Sequence, residues 1–302
     1  MKISLEALQV IDAIERQGSF TAAAAALHRV PSAISHAMAK LEADLGIALF
    51  IREGRRAILT PAGRTLLDDG RPLLLAAEQL ERRAQGVAAG WATELSIALN
   101  ALFPVAAILP LIQRFYATKA PTRIRLSQEV LGGSWDAVAT GRADLVIGAS
   151  GDKPAKGGIS SRILGETRLL FCVSPDHPLA AYPDPIPLTE MVRHRAVVIA
   201  DTSRELAPRT SGLQDGQDTL RVPTMEAKAA AQAAGLGIGS LPRWLAEREI
   251  AAGRLVTRPL QEGKPLTPLH LVWRTRQECK ALGWFLRELS TPATQRELMA
   301  GL

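Results

Sequence analysis

The stretch GSFTAAAAALHRVPSAISHAMAKLEADLG, residues 18–46, decides how the first part of the chain folds. Just upstream, residues 5–16 place apolar side chains at Leu5, Leu8, Ile11 and Ile14, with Val10 widening the stripe. That spacing predicts an amphipathic helix, with Ser4 as its N-cap and Gly18 as its stop. Within the stretch, the five alanines Ala22–Ala26 predict a short second helix over 20–27, slim enough for close helix–helix approach. Pro31 fits the first position of a third helix, where its missing N–H costs little. Ile34, Met38, Leu41 and Leu45 make the buried stripe of that helix, so Ser32, Ser35, His36, Ala39 and Lys40 face outward. Two helices joined by a short turn, the second presenting small polar and basic side chains, form a helix-turn-helix.

Working downstream, Ala48-Leu49-Phe50 and Ala57-Ile58-Leu59 are expected as short strands around the basic tip Arg52-Glu53-Gly54-Arg55-Arg56. That hairpin is a wing. Thr60 and Pro61 then provide an N-cap and first position for a long helix reaching about residue 88, with a stripe running from Leu66 to Val87. A single helix of that length cannot bury such a stripe, so an antiparallel partner from a second subunit is expected. Pro72 is expected to kink or split it near Gly70.

From about residue 93 the pattern changes. Strand-like runs at 94–99, 123–127, 143–148, 169–173 and 196–200 alternate with helical stretches at 103–118, 133–141, 226–235, 242–252 and 276–290. Alternation of this kind predicts parallel sheets faced by helices. The fold class is therefore α+β and α/β.

Composition sets limits on function. With 302 residues, two or three domains are expected. The net charge is +6, but residues 1–62 carry seven Lys and Arg against six Asp and Glu, a local net of +1. Bulk charge therefore does not single out the N-terminal part, and local placement must carry any nucleic-acid argument. No run approaches the roughly 18 apolar residues of a membrane span, and no secretory-type leader follows the first residues. A cytoplasmic protein without a membrane partner is the expectation. Cys172 and Cys279 form no C-x-x-C pair, so they are expected as structural thiols, with neither metal nor cofactor. G-x-S-x-G, H-E-x-x-H and G-x-x-x-x-G-K are all absent. Gly235, Gly237 and Gly239 lack the strand-before, helix-after context of a dinucleotide loop, and His177 has no catalytic partner in sequence. No catalytic residue is expected, and an α/β enzyme is the reading these absences oppose.

The N-terminal residues closely resemble the DNA-binding module of the LysR-type transcription regulators. The matching elements are Gly18-Ser19-Phe20-Thr21-Ala22-Ala23-Ala24, Ser32-Ala33-Ile34-Ser35, Leu41-Glu42 with Leu45-Gly46, Leu49-Phe50, Arg55-Arg56 and Leu59-Thr60-Pro61-Ala62-Gly63. Further on, Ser174–Leu179 and Ala234–Pro242 look like the family's turn and helix-to-strand return in the regulatory part. His28-Arg29-Val30-Pro31-Ser32, Gly133-Ser134-Trp135 and Asp201-Thr202-Ser203-Arg204 look like the branch regulating use of allantoin, purines or aromatic compounds. The resemblance implies a winged helix-turn-helix over 1–60, a linker and dimerisation helix over 61–90, and an effector-binding domain over 91–302. That domain would be a two-subdomain α/β sensor similar to periplasmic solute-binding proteins, one subdomain about 93–165 plus 267–302, the other about 166–266. It also implies double-stranded operator DNA, a small organic effector, and a homodimer assembling into a homotetramer, with RNA polymerase a further partner. Many members carry Ser or Thr and then Gln where this chain has Val30 and Pro31, so the Gln contact to bases is expected to be missing.

On that footing the expected DNA contacts are Thr21, Ser32, Ser35, His36 and Lys40 on the reader, Arg52, Arg55 and Arg56 on the wing, and Thr60 at the linker start. Ligands of open α/β sheets bind beyond strand ends. The expected effector residues are therefore Asn100, Ala101, Phe103, Glu129, Leu131, Gly148, Ala149, Thr202, Thr224 and Glu226. Two carboxylates in such a set, Glu129 and Glu226, predict a neutral or N–H-rich heterocycle rather than a carboxylate, unless Arg204 offsets them.

Overall fold

A computed structural model of the chain describes residues 2–53, 56–155, 157–211, 213–263, 265–275 and 279–302. The chain divides into two compact units, one ending at Gln85 and the other running from Gly86 to Leu302.

The first unit holds α1 (Leu5–Gln17), α2 (Phe20–Ala26), α3 (Pro31–Leu45), β1 (Phe50–Glu53) and β2 (Arg56–Leu59), followed by α4 (Pro61–Ala88). Ser4 Oγ accepts the Ala7 N–H at 3.1 Å, and α1 closes on Gly18, whose φ of 72° suits a residue without Cβ. Ser19 caps α2 in the same way, and Ala23 and Ala24 are fully buried where α2 meets its neighbours. Ala7, Leu8, Val10, Ile11 and Ile14 bury on α1, whereas Leu5 stays 46 % exposed, contrary to its expected place in the stripe. Helical side chains lean toward the N-terminus, so a first-turn residue projects back past the packing surface.

Glu42 joins α3 to the β1–β2 hairpin. Its Oε1 accepts the N–H groups of Leu49 (2.7 Å) and Phe50 (3.2 Å). Those bonds hold Ala48 and Leu49 in a non-strand approach, so the first wing strand begins at Phe50, two residues later than expected. Leu49 O also accepts the Thr60 N–H at 2.9 Å. A Cβ at Gly63 would lie 2.2 Å from that same carbonyl oxygen, so only glycine lets α4 start this close. Arg64 pairs with Glu15 (2.7 Å) and Arg71 with Asp12 (2.9 Å), fastening α4 to α1. The helix runs through Pro72 without the expected split, because its remaining bonds outweigh one missing donor.

The second unit has two lobes. The first contains β3 (Glu94–Asn100), α5 (Leu109–Ala117), β4 (Arg123–Glu129), α6 (Gly133–Ala139), β5 (Leu145–Ser150) and β6 (Ile159–Thr167). The chain then builds a second lobe from β7 (Leu169–Val173), α7 (Leu188–Met191), β8 (Ala196–Ile199), β9 (Thr219–Val222), α8 (Met225–Ala233), β10 (Gly239–Pro242), α9 (Arg243–Ala251) and β11 (Val256–Thr257). It returns through β12 (Thr267–Arg274), α10 (Lys280–Glu288) and α11 (Pro292–Met299).

The sheets are mixed rather than parallel. In the order β4-β3-β5-β12-β6, β3 is parallel to β4 and β5, but the returning β12 runs antiparallel between β5 and β6. The second lobe pairs β8 with β9 in parallel and β7 with β10 and β11 antiparallel. The helical stretch expected over 103–118 divides into a 3₁₀ turn at Val105–Ile108 and α5. The sparse aromatics concentrate around Phe115, whose ring centroid lies 5.2 Å from that of Trp284 and 5.0 Å from that of Phe285. Cys279 caps α10 through Sγ rather than sitting within it. No helix among the described residues is long and apolar enough to cross a membrane.

The lobes are tied by Asp136, which is wholly buried in α6. Its carboxylate accepts the N–H groups of Arg204 (3.0 Å), Glu205 (3.0 Å) and Leu206 (2.8 Å) from the second lobe, and Arg142 Nη2 (2.8 Å). Burial alone would raise its pKa, but the N–H of Leu206, the guanidinium of Arg142 and the N–H groups of Arg204 and Glu205 together bring it down to about 2.

Two predictions arise here. Gly63→Ala forces the Leu49 carbonyl aside and destabilises the first unit by about 2 kcal/mol, read as a lowered thermal midpoint; an unchanged midpoint contradicts the close approach. The folded-state pKa of Asp136 lies below its unfolded value, so the stability it confers, about 2 kcal/mol, is complete above that value and is lost as pH falls from 3.8 through about 2. Acid titration of Asp136→Asn should therefore lack that loss while starting less stable at neutral pH, and a variant as stable as the parent would contradict the tie.

Candidate DNA reader and effector cavity

On the first unit, α3 has one apolar face and one polar face. Ile34, Met38 and Leu41 are buried, while Ser32, Ser35, His36 and Lys40 are exposed. Thr21, the second residue of α2, is exposed as well. Arg56 is exposed but belongs to β2, and the backbone of Arg52 belongs to β1. Arg55 lies outside the described residues. Thr60 is half-buried: its Oγ1 donates to Ala48 O at 2.8 Å and accepts the Gly63 N–H at 3.0 Å, as a cap does. Glu6 takes up Arg29, just before the reader helix, in an ion pair.

On the second unit, a cavity of about 260 Å³ opens between the two lobes. Of the residues expected to bind an effector, Asn100, Ala101 and Leu131 line it. The others lie elsewhere. Phe103 is fully buried and packs against Gly148, and Ala149 is enclosed within β5. Glu129 is buried, bonded to Arg142 and to the Thr202 hydroxyl, and that hydroxyl also accepts the Val130 N–H at 2.9 Å. Thr224 caps α8 by accepting the Ala227 N–H at 3.0 Å, and Glu226 is exposed in the first turn of that helix. The strand-end rule locates the right edge of the sheet, but alternation along a strand sends every second side chain away from it.

The residues missing from the sequence reading come mostly from the long segment between β8 and β9 and from the elements after it. Asp201, Arg209, Thr210 and Ser211 line the cavity, together with Arg221 on β9, Lys228 on α8 and Ser240 on β10. A segment of that length without periodicity was itself a signal, because long irregular loops in compact domains tend to be functional. Asp201 shapes it. Its two oxygens accept the N–H groups of Gly132 (3.1 Å), Gly133 (3.1 Å), Ser203 (2.7 Å) and Arg209 (2.6 Å). Burial pushes its pKa up, and these bonds, that of Arg209 foremost, bring it below the ordinary value. Asp201 is therefore a fully engaged carboxylate, not a spare acceptor.

Beneath the cavity, Cys172 is buried, and burial pushes its thiol up to about 12 although nearby Lys228 pulls the other way. It remains a protonated thiol at neutral pH.

Comparison with known proteins agrees with both ends of the chain. The bacterial regulatory helix-turn-helix of the lysR family matches residues 5–64, and the LysR substrate binding domain matches residues 88–292. Among relatives, the Escherichia coli K12 regulator YhaJ is 42 % identical over 95 % of this chain and 96 % of its own. The regulator YeeY of the same strain is 38 % identical over 96 % of this chain and 94 % of its own. The probable transcriptional regulator PA0477 from Pseudomonas aeruginosa shares the fold, with a TM-score of 0.58 at 23 % identity, covering 95 % of this chain and 97 % of that one. The chain belongs to the LysR family of DNA-binding transcription regulators, not to an enzyme family.

Proposed function

We propose that α3 is the DNA-reading element and that the cavity of the second unit is where a small molecule controls it. The exposed set Ser32, Ser35, His36 and Lys40, opposite a buried apolar stripe, carries this reading. Set in the major groove, the helix presents Lys40 to guanine acceptors and the serines to base edges or phosphate. Thr21 stands at the start of α2 for a backbone contact. Arg52, Arg55 and Arg56 give the wing its phosphate or minor-groove contacts, and Thr60 sets the start of α4 beside the backbone. Residues 1–60 thus serve as reader, 61–90 as linker and 91–302 as sensor.

Leu73, Leu75, Leu80 and Val87 on α4 are exposed by 56–61 %. Leu73, Leu80 and Val87 fall on one face of the helix, and an exposed apolar stripe of this kind is suited to cover by a second copy, which supports a homodimer and, from it, a homotetramer. An effector that fits one arrangement of the sensors better than another then shifts the population of reader spacings on DNA. RNA polymerase and a cytoplasmic setting complete the proposal.

The test is fluorescence anisotropy of the full-length protein on DNA upstream of its own gene. Ser35→Ala, His36→Ala and Lys40→Ala combined should weaken specific binding at least tenfold, since a good base contact is worth about 1–3 kcal/mol. Raising salt should weaken parent binding steeply through counterion release. Undiminished binding by the triple variant, with parent-like folding, would overturn the assignment of α3.

A further inference from the structure

We infer that the ligand of the inter-lobe cavity is a compact organic anion, held by its acid group on the second lobe and by its apolar body on the first. The inference rests on the reading of this cavity as the effector site. It reverses the expectation drawn from Glu129 and Glu226, because neither carboxylate reaches the cavity.

The charge on the lining is one-sided. Arg209, Arg221 and Lys228 face it, against Asp201. The Asp201 oxygens accept four backbone N–H groups, two from its own loop and two from Gly132 and Gly133 of the first lobe, so this carboxylate is engaged within the protein. The three cations differ in how they are held. Lys228 is 8 % exposed, fixed in α8 close to Cys172. Arg209 is held through Nη2 to Asp152 O at 2.8 Å, leaving its remaining guanidinium donors available to a planar acid group. Arg221 stands exposed on β9. Low-dielectric walls focus the field of such a set, and guanidinium groups match a carboxylate with two parallel donors.

The opposite wall carries no charge. Ala101, Leu102, Val130 and Leu131 come from the first lobe with the hydroxyls of Ser150 and Thr267, and its one amide side chain, Asn100, is already committed. Its Nδ2 donates to Ser134 Oγ at 2.9 Å, and its Oδ1 accepts the Leu102 N–H at 3.0 Å. A ligand with an acid at one end and a flat hydrocarbon at the other satisfies both walls at once. A cation meets the charge of the second lobe unfavourably, and a neutral ligand leaves that charge unmatched.

The experiment titrates full-length protein by calorimetry with benzoate, benzamide and benzamidine, three molecules of one shape carrying charges of −1, 0 and +1. Benzoate should bind at least tenfold more tightly than either of the others, and Arg221→Gln should remove most of that advantage while retaining DNA binding. Benzamide or benzamidine binding as well as benzoate, or no binding by any of the three, overturns the anion assignment. Leu131→Trp, which fills the cavity, separates the two layers of argument. Neutral ligand lost in Leu131→Trp leaves the cavity as the binding site but not for an anion. Benzoate binding undiminished in Leu131→Trp removes the cavity itself.

Discussion

Two carboxylates, the buried Asp136 and the half-buried Asp201, hold the sensor in the form described. Each is an acid placed where burial opposes its charge, and each stays ionised because backbone N–H groups from another segment converge on it. Asp136 brings residues 204–206 of the second lobe to α6 of the first, and Asp201 brings the start of the same segment to Gly132 and Gly133. The segment between β8 and β9 has little regular structure of its own, so these bonds determine where Arg209 stands and how wide the cavity is.

The reader follows a different logic. Its shape depends on close backbone approach and on caps rather than on buried charge. Glu42 captures two amides at the entrance to the wing, Gly63 gives α4 room beside the Leu49 carbonyl, and alanines in α2 let three helices pack tightly. With the inner surfaces fixed in that way, the outer face of α3 is free of structural duties. Ser32, Ser35, His36 and Lys40 are exposed there, opposite the buried Ile34, Met38 and Leu41.

Much of the reader was legible in the sequence. The cap at Ser4, the stop at Gly18 and Pro31 at the start of α3 are local devices, and local devices are written in neighbouring residues. The wing strand was displaced because the bonds from Glu42 that delay it span seven and eight residues. In the sensor, the strands with clear apolar runs were visible. The returning β12 was not, because a bulge at His270/Leu271 breaks its alternation and Pro268 sits near its start. The cavity was the least legible part. Strand ends pointed to Asn100, Ala101 and Leu131, but Glu129 and Thr202 turned out to bond with each other and their neighbours inside the structure. Arg209, Arg221 and Lys228 converge through long-range folding that no spacing in the sequence encodes.

The central claim is that this chain reads DNA with one unit and answers to occupancy of the other. Hydroxyl-radical footprinting of the full-length protein on the region upstream of its own gene, with and without a cavity-binding ligand, tests it most directly. The account predicts protection at separated half-sites on one face of the duplex, with the pattern between them changing when the ligand is present. Protection that is absent, or spread without preference along the fragment, would contradict it.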